Sequence, residues 1–226
     1  MYPTVADVMS TDLVTATRGT PYKELISRMR ERGIHALPVV EAGDRLVGIV
    51  SDTDLALKQE YRPSGRVPFL EGAARRRERR KAAAIVAEEC MSRPAAVIAP
   101  DATVPEAARL LHRRGVHHLP VVDAQGRLVG IVSRRDLLRV FLRGDDEIAG
   151  RIRHGVLRAT LDLPEDAIEV HVHEGLVRLR GAVELRSQAR EIGQLAQVID
   201  GVVAVVNELG YGRDDTVPAW PRSHRL

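Results

Sequence analysis

Residues 33–55 read GIHALPVVEAGDRLVGIVSDTDL, and residues 115–137 read GVHHLPVVDAQGRLVGIVSRRDL. The two stretches lie 82 residues apart, and 16 of their 23 aligned positions are identical without a gap. A repeat this close indicates one structural unit built twice. We expect two such units to pack about a pseudo-two-fold axis and to present two related sites.

The repeat extends towards the amino terminus. Val8-Met9-Ser10 aligns with Cys90-Met91-Ser92, and a short β-rich piece follows in each copy, at residues 13–15 and 96–98. Apolar residues then recur at i, i+3, i+4 and i+7, which predicts a helix in each copy. These residues are Tyr22, Leu25, Ile26 and Met29, and Val104, Ala107, Ala108 and Leu111.

Each predicted helix ends at a glycine, Gly33 or Gly115, as helices often do. Two strands joined by a turn follow in both copies, and a last helix begins at Ser51 or Ser133. The predicted strands cover residues 37–40, 45–50, 119–122 and 127–132. Each unit therefore has the order β-α-β-β-α.

The paired pattern of h-P-V-V, a turn, L-V-G-I-V-S and x-x-D resembles the CBS domain, and the tandem resembles a CBS pair (Bateman module) over residues 3–142. The resemblance implies an α/β (α+β) fold in which two units pack through their sheets, with adenosyl ligands in the clefts between them. It also implies a homodimer. We predict CBS repeat 1 at 3–60, a basic helical insertion at 61–86 and CBS repeat 2 at 87–142.

The Gly-Ile-Val-Ser-x-x-Asp ending of each copy suits a ligand site. Glycine allows close approach to the backbone, free N–H groups at a helix start attract phosphate, and a carboxylate accepts hydrogen bonds from ribose hydroxyls. The alternative is a capping box that only begins the helix. The candidate contacts are Gly48, Ile49, Ser51 and Asp54 in repeat 1, and Gly130, Ile131, Ser133 and Asp136 in repeat 2.

Two differences separate the copies. Asp52 and Thr53 lie between serine and aspartate in repeat 1, where repeat 2 has Arg134 and Arg135. Arginine suits phosphate oxygens, whereas Asp52 would repel them, so repeat 2 is the better predicted nucleotide site. The alternative role of both arginines is a solvated first helical turn.

Histidines precede Leu-Pro in both copies. His35 aligns with His117, and His118 aligns with Ala36. In CBS proteins a similar H-R-L-P stretch reaches ligand phosphates, often from the repeat opposite the ribose aspartate. His118 stands where the arginine is usual, so we expect the affinity to depend on pH.

The insertion carries eight Arg or Lys and two Glu between residues 61 and 81. Three interpretations stay open: a solvated helix whose arginines pair with an acidic surface, a positive rim that attracts polyphosphates, and nonspecific nucleic-acid binding. No aromatic residue lies among the arginines of residues 75–81, which disfavours the last.

A second region resembles a BON domain over residues 145–211, with E-G-L-V-R-L-R-G-A-V and I-D-G-V-V-A-V-V-N-E-L and the order α-β-β-α-β. Its first helix should begin at Asp145, with Ile148, Ile152, Val156 and Ala159 as its apolar stripe. A hairpin ending at Gly181 follows, then a helix with Ala189, Ile192, Ala196 and Ile199 on one side. A strand covers residues 202–209. His171 and His173 should face solvent, without a metal site. Residues 212–226 are predicted to be a disordered tail.

The chain has 226 residues, 44% apolar and 3% aromatic, and a formal charge of +3. Few aromatics disfavour single-strand nucleic-acid binding. Cys90 alone cannot form an internal disulfide, and it should be a buried apolar residue. We expect a cytoplasmic protein, since neither a signal peptide nor a membrane-spanning run is visible.

No P-loop, nucleophile elbow or metal-ligand pattern occurs. We therefore expect a non-catalytic sensor without a required cofactor. It would bind AMP, ADP or ATP, with or without magnesium, and relay binding through Leu142-Arg143-Gly144 to the BON domain. The alternatives are a constitutive scaffold whose BON domain recruits a protein or a phospholipid surface, and a nucleic-acid binder that uses residues 75–81.

Overall fold

A computed structural model describes residues 3–61 and 72–216, and the chain divides into two compact units. One spans residues 4–137 and contains both repeats, and the other begins at Leu138. The predicted tail and the first part of the insertion lie largely outside the described residues.

The repeats have matching elements. Repeat 1 contains α1 (Val5–Val8), α2 (Tyr22–Arg32), β1 (Ala36–Glu41), β2 (Arg45–Ser51) and α3 (Asp52–Glu60). The insertion forms α4 (Ala73–Ala82). Repeat 2 contains α5 (Ala87–Cys90), α6 (Val104–Arg114), β3 (His118–Val122), β4 (Leu128–Ser133) and α7 (Arg134–Leu138). Both sheets are two-stranded and antiparallel. The predicted mixed α/β (α+β) class is confirmed.

The repeats exchange their first segments. Val5 is fully buried in the core of repeat 2, and Cys90 is fully buried in the core of repeat 1. Ser10 pairs with Ile131 of β4, and Ser92 pairs with Ile49 of β2. Each core is therefore completed by the segment that leads into the other repeat, and this fixes the two repeats in one unit.

The predicted helices α2 and α6 are confirmed, and they end at Gly33 (φ 61°) and Gly115 (φ 63°) in the left-handed conformation. Such backbone suits glycine. Leu25 and Leu111 are fully buried, whereas the predicted stripe residues Ile26 and Ala108 are exposed.

The predicted β-rich pieces at 13–15 and 96–98 do not become strands. One parallel bridge forms in each repeat, between Ala16, which follows the first piece, and Val39, and between Ile98 and Val121. Extending this parallel pairing towards residue 14 would need a hydrogen bond donated by the backbone nitrogen of Pro38. Pro120 has the same position in repeat 2. Proline has no N–H, so the ladder stops after one bridge.

The second unit has the predicted order α-β-β-α-β. It contains α8 (Asp145–Arg151), a π-helical stretch (Ile152–Arg158), α9 (Ala159–Leu161), β5 (Ile168–His173), β6 (Leu176–Leu185), α10 (Arg186–Gln197) and β7 (Ala204–Arg213). The sheet order is β5-β6-β7, with β5 antiparallel and β7 parallel to β6.

Two details of this unit differ from the prediction. The π-helical turn adds a residue to the helix, so Leu157 is buried in place of Ala159, which is exposed. The hairpin pairing ends at Gly181 opposite Ile168, as predicted, but the strand β6 does not end there, because it continues to Leu185 and pairs with β7.

Candidate ligand-binding clefts

Both Ser-x-x-Asp motifs form the capping box at the start of a helix. In repeat 2 the Ser133 backbone N–H and hydroxyl donate to Oδ2 of Asp136, at 2.8 and 2.6 Å. In repeat 1 the Ser51 N–H and hydroxyl donate to Oδ2 of Asp54, at 2.9 and 2.7 Å. Each aspartate is thereby held with Oδ1 available for another partner.

The repeat-2 cleft contains a cavity of about 520 Å³. The structure brings most of the predicted site residues of repeat 2 together in its lining, with His35 from repeat 1. The predicted residues in the lining are His35, His117, His118, Ile131, Ser133, Arg134, Arg135 and Asp136. We call this space the Asp136 cleft.

Sequence reasoning missed two polar residues of this lining, Ser10 and Asp12, and placed a third, Asp52, in the other cleft. Ser10 belongs to the first segment of repeat 1, which pairs with β4 of repeat 2. The presence of a serine at the same place in both repeats, Ser10 and Ser92, is the feature of the sequence that could have drawn attention to it. Asp52 was assigned to the repeat-1 site, but it lies in the Asp136 cleft, where it contacts His35 Nδ1 at 3.0 Å.

Asp136 keeps one oxygen open. Among residues 3–61 and 72–216, no donor makes a hydrogen bond to its Oδ1. Arg134 and Arg135 are exposed in the first turn of α7 and line the same cavity. A carboxylate oxygen without a donor, in a cavity that two arginines also line, can accept hydrogen bonds from hydroxyl groups of a ligand that also carries an anion.

His118 lines the same cavity in a partly buried position. Burial lowers the pKa of its imidazole, and the nearby His35 and His117 act in the same direction. The charges of Asp52 and Asp136 oppose this shift. Protonation of the ring is therefore less favourable than in water, unless a bound anion compensates for the charge.

The equivalent position in repeat 1 is already occupied. Lys81 of α4 donates from Nζ to Oδ1 of Asp54 and, at 2.8 Å, to the Ser92 hydroxyl. The side chains of Lys81 and Asp54 are 10% and 12% exposed. We call this the Lys81 contact. The insertion is predicted to form a solvated helix or a basic surface, and Lys81 departs from both because it is buried.

The two motif glycines make room for methionines of the other repeat. A Cβ on Gly48 would lie 2.6 Å from Met91 Sδ and 3.1 Å from the Ser92 carbonyl oxygen. A Cβ on Gly130 would collide with Met9 Sδ. The space beside each glycine, which was predicted to admit a ligand, is therefore taken by a methionine of the chain itself. Contact between a ligand and the backbone at these glycines stays a prediction.

The outer face of α4 is basic. Arg76, Arg77 and Arg80 are exposed and line a cavity of about 730 Å³ with Arg93. In the described part of the chain, Arg76, Arg77 and Arg80 form no ion pair with an acidic residue. The predicted pairing of the insertion's arginines with an acidic surface is therefore not seen for these three.

The remaining predicted groups have structural surroundings. Burial raises the pKa of the Cys90 thiol to about 11, so this cysteine is a buried apolar residue, as predicted. His171 and His173 are exposed, as predicted. Within residues 3–61 and 72–216, no group of three metal-ligating side chains comes together, and no helix is long and apolar enough to cross a membrane.

Comparison with known families gives two matches. The CBS-domain family matches residues 5–60 and 86–143, and the BON-domain family matches residues 144–213. A CBS domain-containing protein of Dictyostelium discoideum is 33% identical over 140 residues, which cover 62% of this chain and 91% of that protein. The chain spans only 61% and 43% of the length of two archaeal relatives, from Methanopyrus kandleri and Methanocaldococcus jannaschii.

Two solved structures are similar to the repeats. CBSX2 from Arabidopsis thaliana in complex with AMP has a TM-score of 0.54 and 28% identity, covering 62% of this chain and 96% of that chain. The CBS domain pair of protein MJ0100, in complex with 5'-methylthioadenosine and S-adenosyl-L-methionine, has a TM-score of 0.51 and 25% identity, covering 62% and 97%.

Proposed function

The chain belongs to the CBS-domain family, with a BON domain after the two repeats, and on that premise we propose that it is a non-catalytic regulatory protein that binds an adenosyl ligand in the Asp136 cleft. The observation that carries this proposal is the open Oδ1 of Asp136 in a cavity of about 520 Å³. The AMP bound by CBSX2 and the adenosyl compounds bound by MJ0100 support the ligand class.

Each part of the ligand has a matching group in the cleft. The vicinal ribose hydroxyls donate to Asp136, which Ser133 holds in place. Arg134 and Arg135 meet an anionic group, as guanidinium groups suit phosphate oxygens. The purine packs against the apolar part of the lining, which consists of Leu13, Val14, Ile34, Ala36, Pro38 and Ile131.

The charges of the lining favour a ligand with little negative charge. Asp12, Asp52 and Asp136 outnumber the two arginines. A triphosphate brings several negative charges towards these carboxylates, whereas AMP brings fewer and S-adenosylmethionine is cationic at sulfur. We therefore propose AMP or an S-adenosyl compound ahead of ADP and ATP.

Regulation requires that the ligand distinguish two arrangements of the protein. The Asp136 cleft is lined from both repeats, so a ligand there stabilises one relative position of the repeats. Leu142-Arg143-Gly144 joins the repeats to the BON domain and would carry the change. The partner of the BON domain then binds with an affinity that the ligand alters, and the partner alters ligand affinity equally.

Thermal unfolding with AMP, S-adenosylmethionine and ATP tests this proposal. A ligand at about 100 times its Kd adds about 2.7 kcal/mol to the free energy of unfolding and raises Tm. Asp136→Asn should weaken binding at least about tenfold, since a hydrogen bond to a charged group is lost. Asp101→Asn, at an exposed position, is the matched control.

If none of the three ligands raises the Tm of the folded wild-type protein, the sensor proposal is wrong and the scaffold alternative is favoured. If the ligands act equally on wild type and Asp136→Asn, the ligand binds elsewhere in the protein.

A further inference from the structure

We infer that Lys81 occupies the repeat-1 cleft as an internal substitute for a ligand, so that each chain has one adenosyl site instead of the two that the repeat predicts. Lys81 thereby determines which cleft can bind. This inference rests on the proposed function, because it concerns the second copy of the same kind of cleft.

The Lys81 ammonium group makes the carboxylate contact that the proposed function gives to a ligand in the Asp136 cleft. It donates to Oδ1 of Asp54, the oxygen that the capping box leaves over, and to the Ser92 hydroxyl at 2.8 Å. The Ser92 hydroxyl is also 3.4 Å from the same carboxylate oxygen. With this occupant, the acceptor that would receive ribose hydroxyls is fully engaged.

The 82-residue offset shows what Lys81 replaces. Ser92 corresponds to Ser10, and both donate a backbone N–H to an isoleucine of the opposite repeat, at 2.8 and 2.9 Å. Ser10 lines the Asp136 cleft. The space next to Asp136 Oδ1 and Ser10 is open cavity, whereas the corresponding space next to Asp54 Oδ1 and Ser92 holds the lysine amine.

The end of α4 is fixed, so Lys81 is not a mobile surface lysine. Lys81 and Ala82 are 8% and 9% exposed, and Ala84 is buried in the core of repeat 1. The Tyr61 hydroxyl, just after α3, donates to Glu78 of α4 at 2.6 Å. The helix is thereby attached to repeat 1 on both sides of the lysine.

A ligand in this cleft would have to separate a buried ion pair. Removing one partner of such a pair leaves an uncompensated charge, and this is strongly unfavourable. Ribose hydroxyls are neutral and cannot replace the ammonium charge. Entry of an adenosyl ligand therefore requires Lys81 to leave with the end of α4, which the packing opposes.

The number of AMP molecules bound per chain tests the inference, measured by isothermal titration calorimetry on the full chain. Wild type should bind one AMP, and Asp136→Asn should bind none in the same concentration range. Adding Lys81→Ala to Asp136→Asn should restore one site, and Asp54→Asn should abolish it again. Arg80→Ala, in place of Lys81→Ala, is the matched control and should restore no site.

Each outcome decides between the two proposals. The role of Lys81 is overturned if wild type binds two AMP molecules, or if the folded double variant Lys81→Ala with Asp136→Asn binds none. A restored Asp54-dependent site without binding to wild type overturns the proposed Asp136 site and supports the role of Lys81. No binding by either protein overturns both. Lys81→Met, which keeps the apolar stem, replaces Lys81→Ala if circular dichroism shows that the alanine variant is unfolded.

Discussion

The two clefts have the same hydrogen bonds around their aspartates and differ in what meets the second carboxylate oxygen. Asp54 Oδ1 accepts from the buried Lys81, whereas Asp136 Oδ1 has no donor among the described residues. The motif residues are identical in both copies. The difference arises from α4, a helix between the repeats, so a segment outside the repeated unit decides how each copy is used.

Breaking the Lys81 contact should give the largest change in stability. Lys81→Met leaves the carboxylate of Asp54 buried without its cation. We expect the free energy of unfolding to fall by about 3 kcal/mol, at the lower end for a buried pair that loses one partner. Urea unfolding followed by circular dichroism measures this change.

The two clefts provide their own control for this experiment. Arg135→Met removes an exposed cation next to the open aspartate, and it should change stability by less than about 0.5 kcal/mol. Combining Lys81→Met with Asp54→Asn should recover part of the loss, because both charges are then absent. Equal midpoints for Lys81→Met and wild type would show that the pair is solvated.

The motif glycines should show a smaller difference of the same kind. Gly48→Ala places a Cβ against Met91 and the Ser92 carbonyl, whereas Gly130→Ala meets only the flexible Met9 side chain at the three nearest atoms. We expect losses of about 2 and about 1 kcal/mol, since overpacking costs more where the neighbour is backbone. Urea midpoints of the two variants measure them.

Gly19→Ala is the control for these substitutions, because no neighbouring atom lies within 4 Å of the place that its Cβ would take. It should be neutral or slightly stabilising. A larger loss for Gly130→Ala than for Gly48→Ala would mean that the methionine of the open cleft is the more tightly packed one, contrary to the comparison of the two clefts.

Much of the repeat architecture could be predicted from the chain because it depends on local pattern. The apolar spacing from Tyr22 and Val104 predicted α2 and α6, and Gly33 and Gly115 predicted their ends. The capping alternative for Ser51 is also realised, since it needs only residues three positions apart.

The occupancy of the clefts could not be predicted in this way. Lys81 reaches Asp54 across 27 positions of sequence, and it looks like any other residue of a basic run. Asp52, at the start of α3, lines the cleft of the opposite repeat, and this contact between the two repeats is not encoded in any local pattern. The π-helical turn before Ala159 brings Leu157, five positions after Ile152, into the buried face, and a regular 3.6-residue period does not predict it.

The smallest expected effect concerns pH and the Asp136 cleft alone, because His118 aligns with Ala36. Burial lowers the pKa of His118 in the folded protein. An unfolded histidine takes up a proton near about pH 6.5. As pH falls through that value the unfolded state therefore binds more protons than the folded state, and the free energy of unfolding decreases. Wild type should lose more stability than His118→Gln between about pH 7.5 and about pH 5.5, an interval that brackets the unfolded value.

Urea midpoints at these two pH values measure the difference, and midpoints at about pH 7.5 and about pH 9 provide the control. The imidazole is neutral in both states across the upper interval, so both proteins should change in parallel there. A bound anion favours the charged ring, so the effect of pH on AMP affinity should be opposite to its effect on stability. AMP affinity should rise as pH falls, and more in wild type than in His118→Gln. Parallel behaviour of the two proteins across the lower interval would mean that water reaches the ring, and His118 would then not distinguish this cleft from the one that Lys81 fills.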